Sequence, residues 1–168
     1  AALGAAACLE LAVVSGGVAG YHNRRVDSVI GIDVNPSIEL SVNRRDKVLR
    51  AEALNADARE ALDNMDLENV DLDIAVNALI GSMVRHGYLD DLDNAILVTV
   101  ANKDTEKAAV LRQDVVIDIE ASLEEHKVQA VVYDQQALDK SEVQELAQEY
   151  GISYGKAYFL WELIEEND

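Results

Sequence analysis

The amino-acid sequence predicts one α/β domain with a mixed β-sheet packed by helices, preceded by a candidate membrane helix. Three observations carry this. Residues 26–43 alternate apolar and polar side chains with period two, the pattern of a half-buried strand. Apolar residues at helical spacing mark several longer segments, most clearly Asp71–His86. Two short β-branched runs, Ala95–Val100 and Val128–Tyr133, flank a long helical stretch, as in a strand–helix–strand unit.

The elements follow in order. Residues 1–21, AALGAAACLELAVVSGGVAGY, are mostly small or apolar and long enough to cross a hydrocarbon core of about 30 Å as a helix. Glu10 near the middle would cost about 2.5–3.5 kcal/mol on insertion scales, and a soluble Ala-rich helix is the competing reading. No basic region precedes the apolar run, which argues against a signal peptide. His22-Asn23-Arg24-Arg25 marks a polar boundary, and by the positive-inside tendency its arginines oppose an extracytoplasmic domain beyond them. The domain is expected over residues 22–168.

In the alternating stretch, Ile30, Ile32, Val34, Ile38, Leu40 and Val42 fall on even positions; Asp33, Asn35, Ser37, Glu39, Ser41 and Asn43 fall on odd ones. The parity passes unbroken through Asn35-Pro36, whereas a two-residue hairpin would switch it. The expectation is therefore a strand that continues in one direction, kinked at a proline that cannot donate to a ladder. Asn43-Arg44-Arg45-Asp46 reads as the true turn and Lys47–Leu54 as the return strand.

Asn55–Met65 and Asp71–His86 read as helices, the second with Gly87 placed to end it. Thr105–Glu125 is a long helix with Asp104 as N-cap, set between the two strands that read as buried. Ser141–Tyr150 carries a candidate capping box in Ser141 and Gln144 and ends at Gly151. Ser153 can cap a last helix to about Glu165, with Ala157, Leu160, Trp161 and Ile164 on one face.

Composition narrows the function classes. Hydrophobic residues make up 49% of 168, enough for a real core. The formal charge of −18 repels phosphate backbones and anionic lipid head groups, so no direct nucleic-acid partner is expected. A single cysteine, Cys8, excludes an internal disulfide scaffold and leaves the compartment open. Neither a dinucleotide fingerprint nor a P-loop is present, and His22, His86 and His126 lack metal-ligand spacing. No cofactor and no metal are expected. The acid-rich stretches Asp63–Asp73 and Asp90–Asp93 lack the glycine and terminal glutamate of a calcium loop.

The single proline, Pro36, stands in the middle of the best strand pattern, and such departures concentrate at functional or strained sites. Asn-Pro has its own chemistry. The Asn35 side-chain nitrogen can attack its own backbone carbonyl to close a succinimide and expel the Pro36 nitrogen. The usual competitor, attack by the next backbone nitrogen on the side chain, is weakened because Pro36 has no N–H. Good orientation can supply about 7–11 kcal/mol of the barrier, and strain roughly 1–3 kcal/mol. Ser37 and nearby N–H groups are candidates to stabilise the oxyanion, and Asp33, on the same odd face, to move a proton. A structural kink at a sheet edge is the plain alternative.

The stretch Ile32-Asp33-Val34-Asn35-Pro36-Ser37-Ile38-Glu39-Leu40, followed by Val42-Asn43, resembles the opening signature of the membrane-proximal extracytoplasmic domain of RsgI-type anti-sigma factors. Glu52-Ala53-Leu54-Asn55, Gly87-Tyr88-Leu89, Ile152-Ser153 and Gly155-Lys156-Ala157 fit the same pattern in family order. The resemblance implies the middle domain of a single-pass cell-membrane regulator. A cytoplasmic segment would hold a sigma factor, and an outer module would sense polysaccharide. It also implies self-cleavage at Asn35-Pro36, not turnover catalysis, followed by an intramembrane protease. Two other readings stand beside it: a non-cleaving spacer or protein-interaction domain, and a cytosolic hydrolase-like domain, which the lack of a nucleophile–base set disfavours.

Overall fold

The computed structural model describes residues 23–90 and 93–167. The candidate membrane helix, residues 1–21, lies outside the described residues. Among the described residues, no helix is long and apolar enough to cross a membrane.

The elements are β1 (Ser28–Asp33), β2 (Ser37–Val42), β3 (Val48–Ala53), α1 (Ala56–Ala61), α2 (Leu72–Arg85), β4 (Asn94–Ala101), α3 (Thr105–Glu125), β5 (Ala130–Gln136), α4 (Ser141–Tyr150) and α5 (Tyr154–Glu165). One five-stranded sheet runs β3-β2-β1-β4-β5. The pairs β3/β2, β2/β1 and β1/β4 are antiparallel, and β4/β5 is parallel. The parallel pair needs a crossover, which α3 provides. Thus β1 is the central strand, hydrogen-bonded on both edges.

The even-numbered residues form the main core. Ile30, Ile32, Ile38, Leu40, Ile96 and Val98 are buried with Leu79 and Ile80 of α2 and Ile119 of α3. Odd-numbered residues of the same strands turn to the opposite face, where α5 lies against β1 and β4. A smaller core forms there from Ala137, Val143, Ala157 and Tyr158, with Trp161 packed beside it. Lys140 Nζ sits 3.6 Å from the Trp161 ring centroid.

Local signals account for most boundaries. The Asp104 side chain accepts from Glu106 and Lys107 N–H, both at 3.1 Å, and starts α3. Ser153 Oγ accepts from Lys156 N–H at 3.1 Å and starts α5. Asn43 Oδ1 accepts from Arg45 and Lys47 N–H at 2.9 and 3.1 Å and shapes the β2–β3 turn. Gly151 closes α4 in the left-handed conformation, φ 62°, which suits a residue without Cβ.

Several expectations are corrected. The chain does not continue in one direction through Asn35-Pro36. Asp33 pairs with Ser37 and Ile32 with Ile38 in an antiparallel hairpin. Residues 34–36 form a three-residue connection, and partners across such a loop are an even number of positions apart. Parity is therefore kept through a reversal as well as through a straight run. Pro36 lies in this loop, outside the ladder, so strain from a proline within a strand does not arise. The strand expected to be buried at Val128–Tyr133 is the edge strand β5, where Val131 and Tyr133 are 56% and 50% exposed. An apolar run does not distinguish the last strand of a sheet from an inner one. The capping box does not form. Lys140 takes the N-cap position, Ser141 is the first helical residue, and Gln144 donates to Asp139 at 2.5 Å. The first helix stops at Ala61 instead of reaching Met65. Leu160 and Ile164 of α5 are exposed, and Tyr158 is buried in their place.

The hairpin loop as candidate functional site

The loop 34–36 joins two strands whose even-numbered residues are locked in the core, so its ends are fixed by packing. Val34 N–H donates to Pro36 O across the loop at 2.9 Å. Asn35 is exposed at the tip, while Pro36 and Ser37 are buried. The structure thus separates the odd-numbered residues that the alternation places on one face. Asp33 and Ser37 face each other under α5, and Asn35 projects away from them into solvent.

A residue not singled out for the chemistry by its sequence context, Asn55, reaches the loop from the end of β3. Its Nδ2 donates to the Asn35 backbone oxygen at 2.7 Å. Its Oδ1 accepts from Ser37 N–H at 3.2 Å and from Ala58 N–H at 2.8 Å. Leu54 N–H donates to Ser37 O at 2.9 Å and holds the approach of this segment. Asn before Ala-Asp-Ala-Arg-Glu is legible as an N-cap; the contact with a loop twenty positions earlier is not.

The other face of the hairpin is closed by α5. Asp33 is 4% exposed, and its Oδ1 has no hydrogen-bond partner among the described residues. Burial pushes the Asp33 carboxyl above the ordinary carboxylate range, against the opposing pull of the Ser37 and Ser153 hydroxyls and the Lys156 ammonium. Lys156 Nζ also reaches Val34 O at 3.4 Å. Gly155 allows this approach: a Cβ there would lie 2.5 Å from Thr99 Oγ1 and 3.0 Å from Asp33 Oδ2. Gln135 Nε2 ties the layers together, donating to Thr99 Oγ1 at 2.9 Å and Gly155 O at 2.7 Å. On β2, burial raises the Glu39 carboxyl, and Glu52, directly opposite on β3, adds to the rise.

The arrangement defines a class: a small mixed α/β domain whose most distinctive local chemistry is an Asn-Pro bond at a hairpin tip, clasped by a neighbouring amide. The chain belongs to the family of anti-sigma factor RsgI-like central domains, whose model matches residues 27–162. It is 31% identical to the anti-sigma-I factor RsgI9 of Acetivibrio thermocellus over 142 residues, 82% of this chain and 20% of that protein. It is 29% identical to RsgI7 of the same organism over 163 residues, 96% of this chain and 29% of that protein. Anti-sigma-I factor RsgI of Bacillus subtilis is 26% identical over 97 residues, 55% of this chain and 26% of that protein. The chain thus spans less than a third of the length of each of these relatives.

Proposed function

We propose that this domain is the signal-transmitting middle part of a single-pass membrane anti-sigma factor, and that it cuts its own chain between Asn35 and Pro36. The observation that carries the reading is the position of that bond. It lies at the tip of a hairpin whose two strands are held in one sheet, with its carbonyl already engaged by a side-chain donor. Residues up to 35 would stay with a membrane segment, and residues from 36 would go with an outer sensor. A cytoplasmic segment outside the described residues would bind a sigma factor, and an intramembrane protease would act once the outer part leaves. Asn35-Pro36 supplies the bond and the nucleophile. Asp33 and Ser37 support the site from beneath, buried and opposite each other.

Intact mass spectrometry of the folded protein tests this. Two chains are expected, the larger beginning at Pro36, co-eluting under native conditions and parting in denaturant. Asn35→Ala should leave one chain. Wild-type protein that stays one chain for days while folded would refute the reading.

The exposed Asn35 side chain favours a second reading, a spacer or protein-interaction domain that never cuts. An exposed asparagine at a turn needs no chemical role. The same mass measurement separates the two.

A further inference from the structure

The carbonyl that becomes an oxyanion in the proposed cut already has a donor. Asn55 Nδ2 lies 2.7 Å from Asn35 O. The orientation of this amide is settled by its other end, where Oδ1 accepts from two backbone N–H groups, those of Ala58 and Ser37. Turning it over would set an NH2 against two donors and an oxygen against a carbonyl. Capping alone does not require asparagine, since aspartate and serine cap equally well. What they lack is the NH2 that reaches Asn35 O.

We infer that Asn55 is a catalytic residue of cleavage at Asn35-Pro36, acting as the side-chain hydrogen-bond donor to the oxyanion formed on the Asn35 carbonyl. The inference rests on the cleavage reading above. In the step, Asn35 Nδ2 forms a bond to the Asn35 carbonyl carbon and gives up one proton, while the carbonyl electron pair moves onto oxygen. Collapse of that oxyanion breaks the bond to the Pro36 nitrogen, which leaves carrying a proton. Nothing is oxidised or reduced, and no co-reactant is consumed.

The donor is aimed at the oxygen where charge develops, the geometry that makes such groups effective. It is also preorganised. The Asn55 amide cannot swing away without abandoning the Ala58 and Ser37 N–H groups, so its placement is set when the domain folds. The same side chain touches both sides of the bond, Asn35 through its oxygen and Ser37 through its nitrogen. It therefore holds the ends together while the tip rearranges. Lys156 approaches the neighbouring carbonyl, Val34 O, and leaves the Asn35 oxygen to Asn55.

The test uses the full chain made in a brief pulse of cell-free synthesis, with cleavage followed on denaturing gels. Asn55→Asp keeps the cap and both accepted N–H bonds and removes only the donor. It should fold with the thermal midpoint of the uncut Asn35→Ala chain and cleave on the order of 10²–10³-fold more slowly than wild type. Asn55→Ser keeps a cap without placing a negative charge beside the carbonyl, and should be slowed as well. Wild type that cuts, with Asn55→Asp and Asn55→Ser folded and cutting at the same rate, would overturn the inference and leave the cleavage reading standing. Wild type that never cuts overturns both.

Discussion

The grip between the two pieces of a cut chain is measurable through Ile32. This side chain belongs to β1, is fully buried, and sits opposite Ile38 on β2 and Val98 on β4. Truncation to alanine removes its apolar surface and leaves a cavity walled by two strands that cannot readily collapse. Such changes cost about 2–5 kcal/mol. In an uncut Asn35→Ala background the loss appears as a lower denaturant midpoint. In the self-cut protein the same loss falls on the hold between the pieces, because β1 is then attached by non-covalent contacts alone. At about 1.4 kcal/mol per decade, dissociation should be roughly 30-fold to 4,000-fold more favourable. The assay is retention of the small fragment on native size exclusion, followed over time after dilution. Ile32→Ala protein that is cut yet retains its fragment as tightly as wild type would refute the assignment of this grip to core burial.

Other perturbations follow from the second face and the strands. Gly155→Ala in the uncut background should cost about 1–3 kcal/mol, read as a lower thermal midpoint, because the new methyl would overlap Thr99 on β4; an unchanged midpoint would show that α5 yields without cost. Asp33 binds protons more readily folded than unfolded, so stability falls as pH rises from the ordinary carboxylate value through the raised one. Compared with Asp33→Asn, the otherwise identical uncut chain should therefore gain thermal midpoint on acidification across that window, and a pH-independent difference would refute this. Glu52→Gln removes a like charge opposite Glu39 and should stabilise by on the order of 0.2–1 kcal/mol in urea melts.

The strands were legible because Ile30, Ile32, Ile38 and Leu40 must reach one core, and period two records that need directly. The direction of the chain after Val34 was not, because parity is the same for a straight run and for a three-residue loop. Helix starts at Asp104 and Ser153 could be read from capping residues that act within three positions. Ser141 and Gln144 show the limit of that signal: a cap motif displaced by one position makes different bonds. At the site, Asn35 and Pro36 stand out in sequence because a proline interrupts an alternating pattern. Asn55 and Gly155 do not, since their contacts with the hairpin span 20 and more than 100 positions. Only the folded sheet brings them to the loop. The layer made by α4 and α5 was also illegible as a separate core, because Tyr158 and Val143 read as ordinary helix-face residues.

The central place of β1 gives a cut chain a mechanical character. A pull along the strand from its Ser28 end loads the β2 and β4 ladders together, in shear, instead of peeling one bond at a time. Such a joint resists thermal jostling and yields to sustained tension. Once the strand slides out, β2 and β4 each keep an unsatisfied edge, and the apolar slot that held Ile30 and Ile32 opens to water. The joint then behaves as a fuse: it carries load up to a threshold, parts once, and leaves behind a surface unlikely to reset unaided.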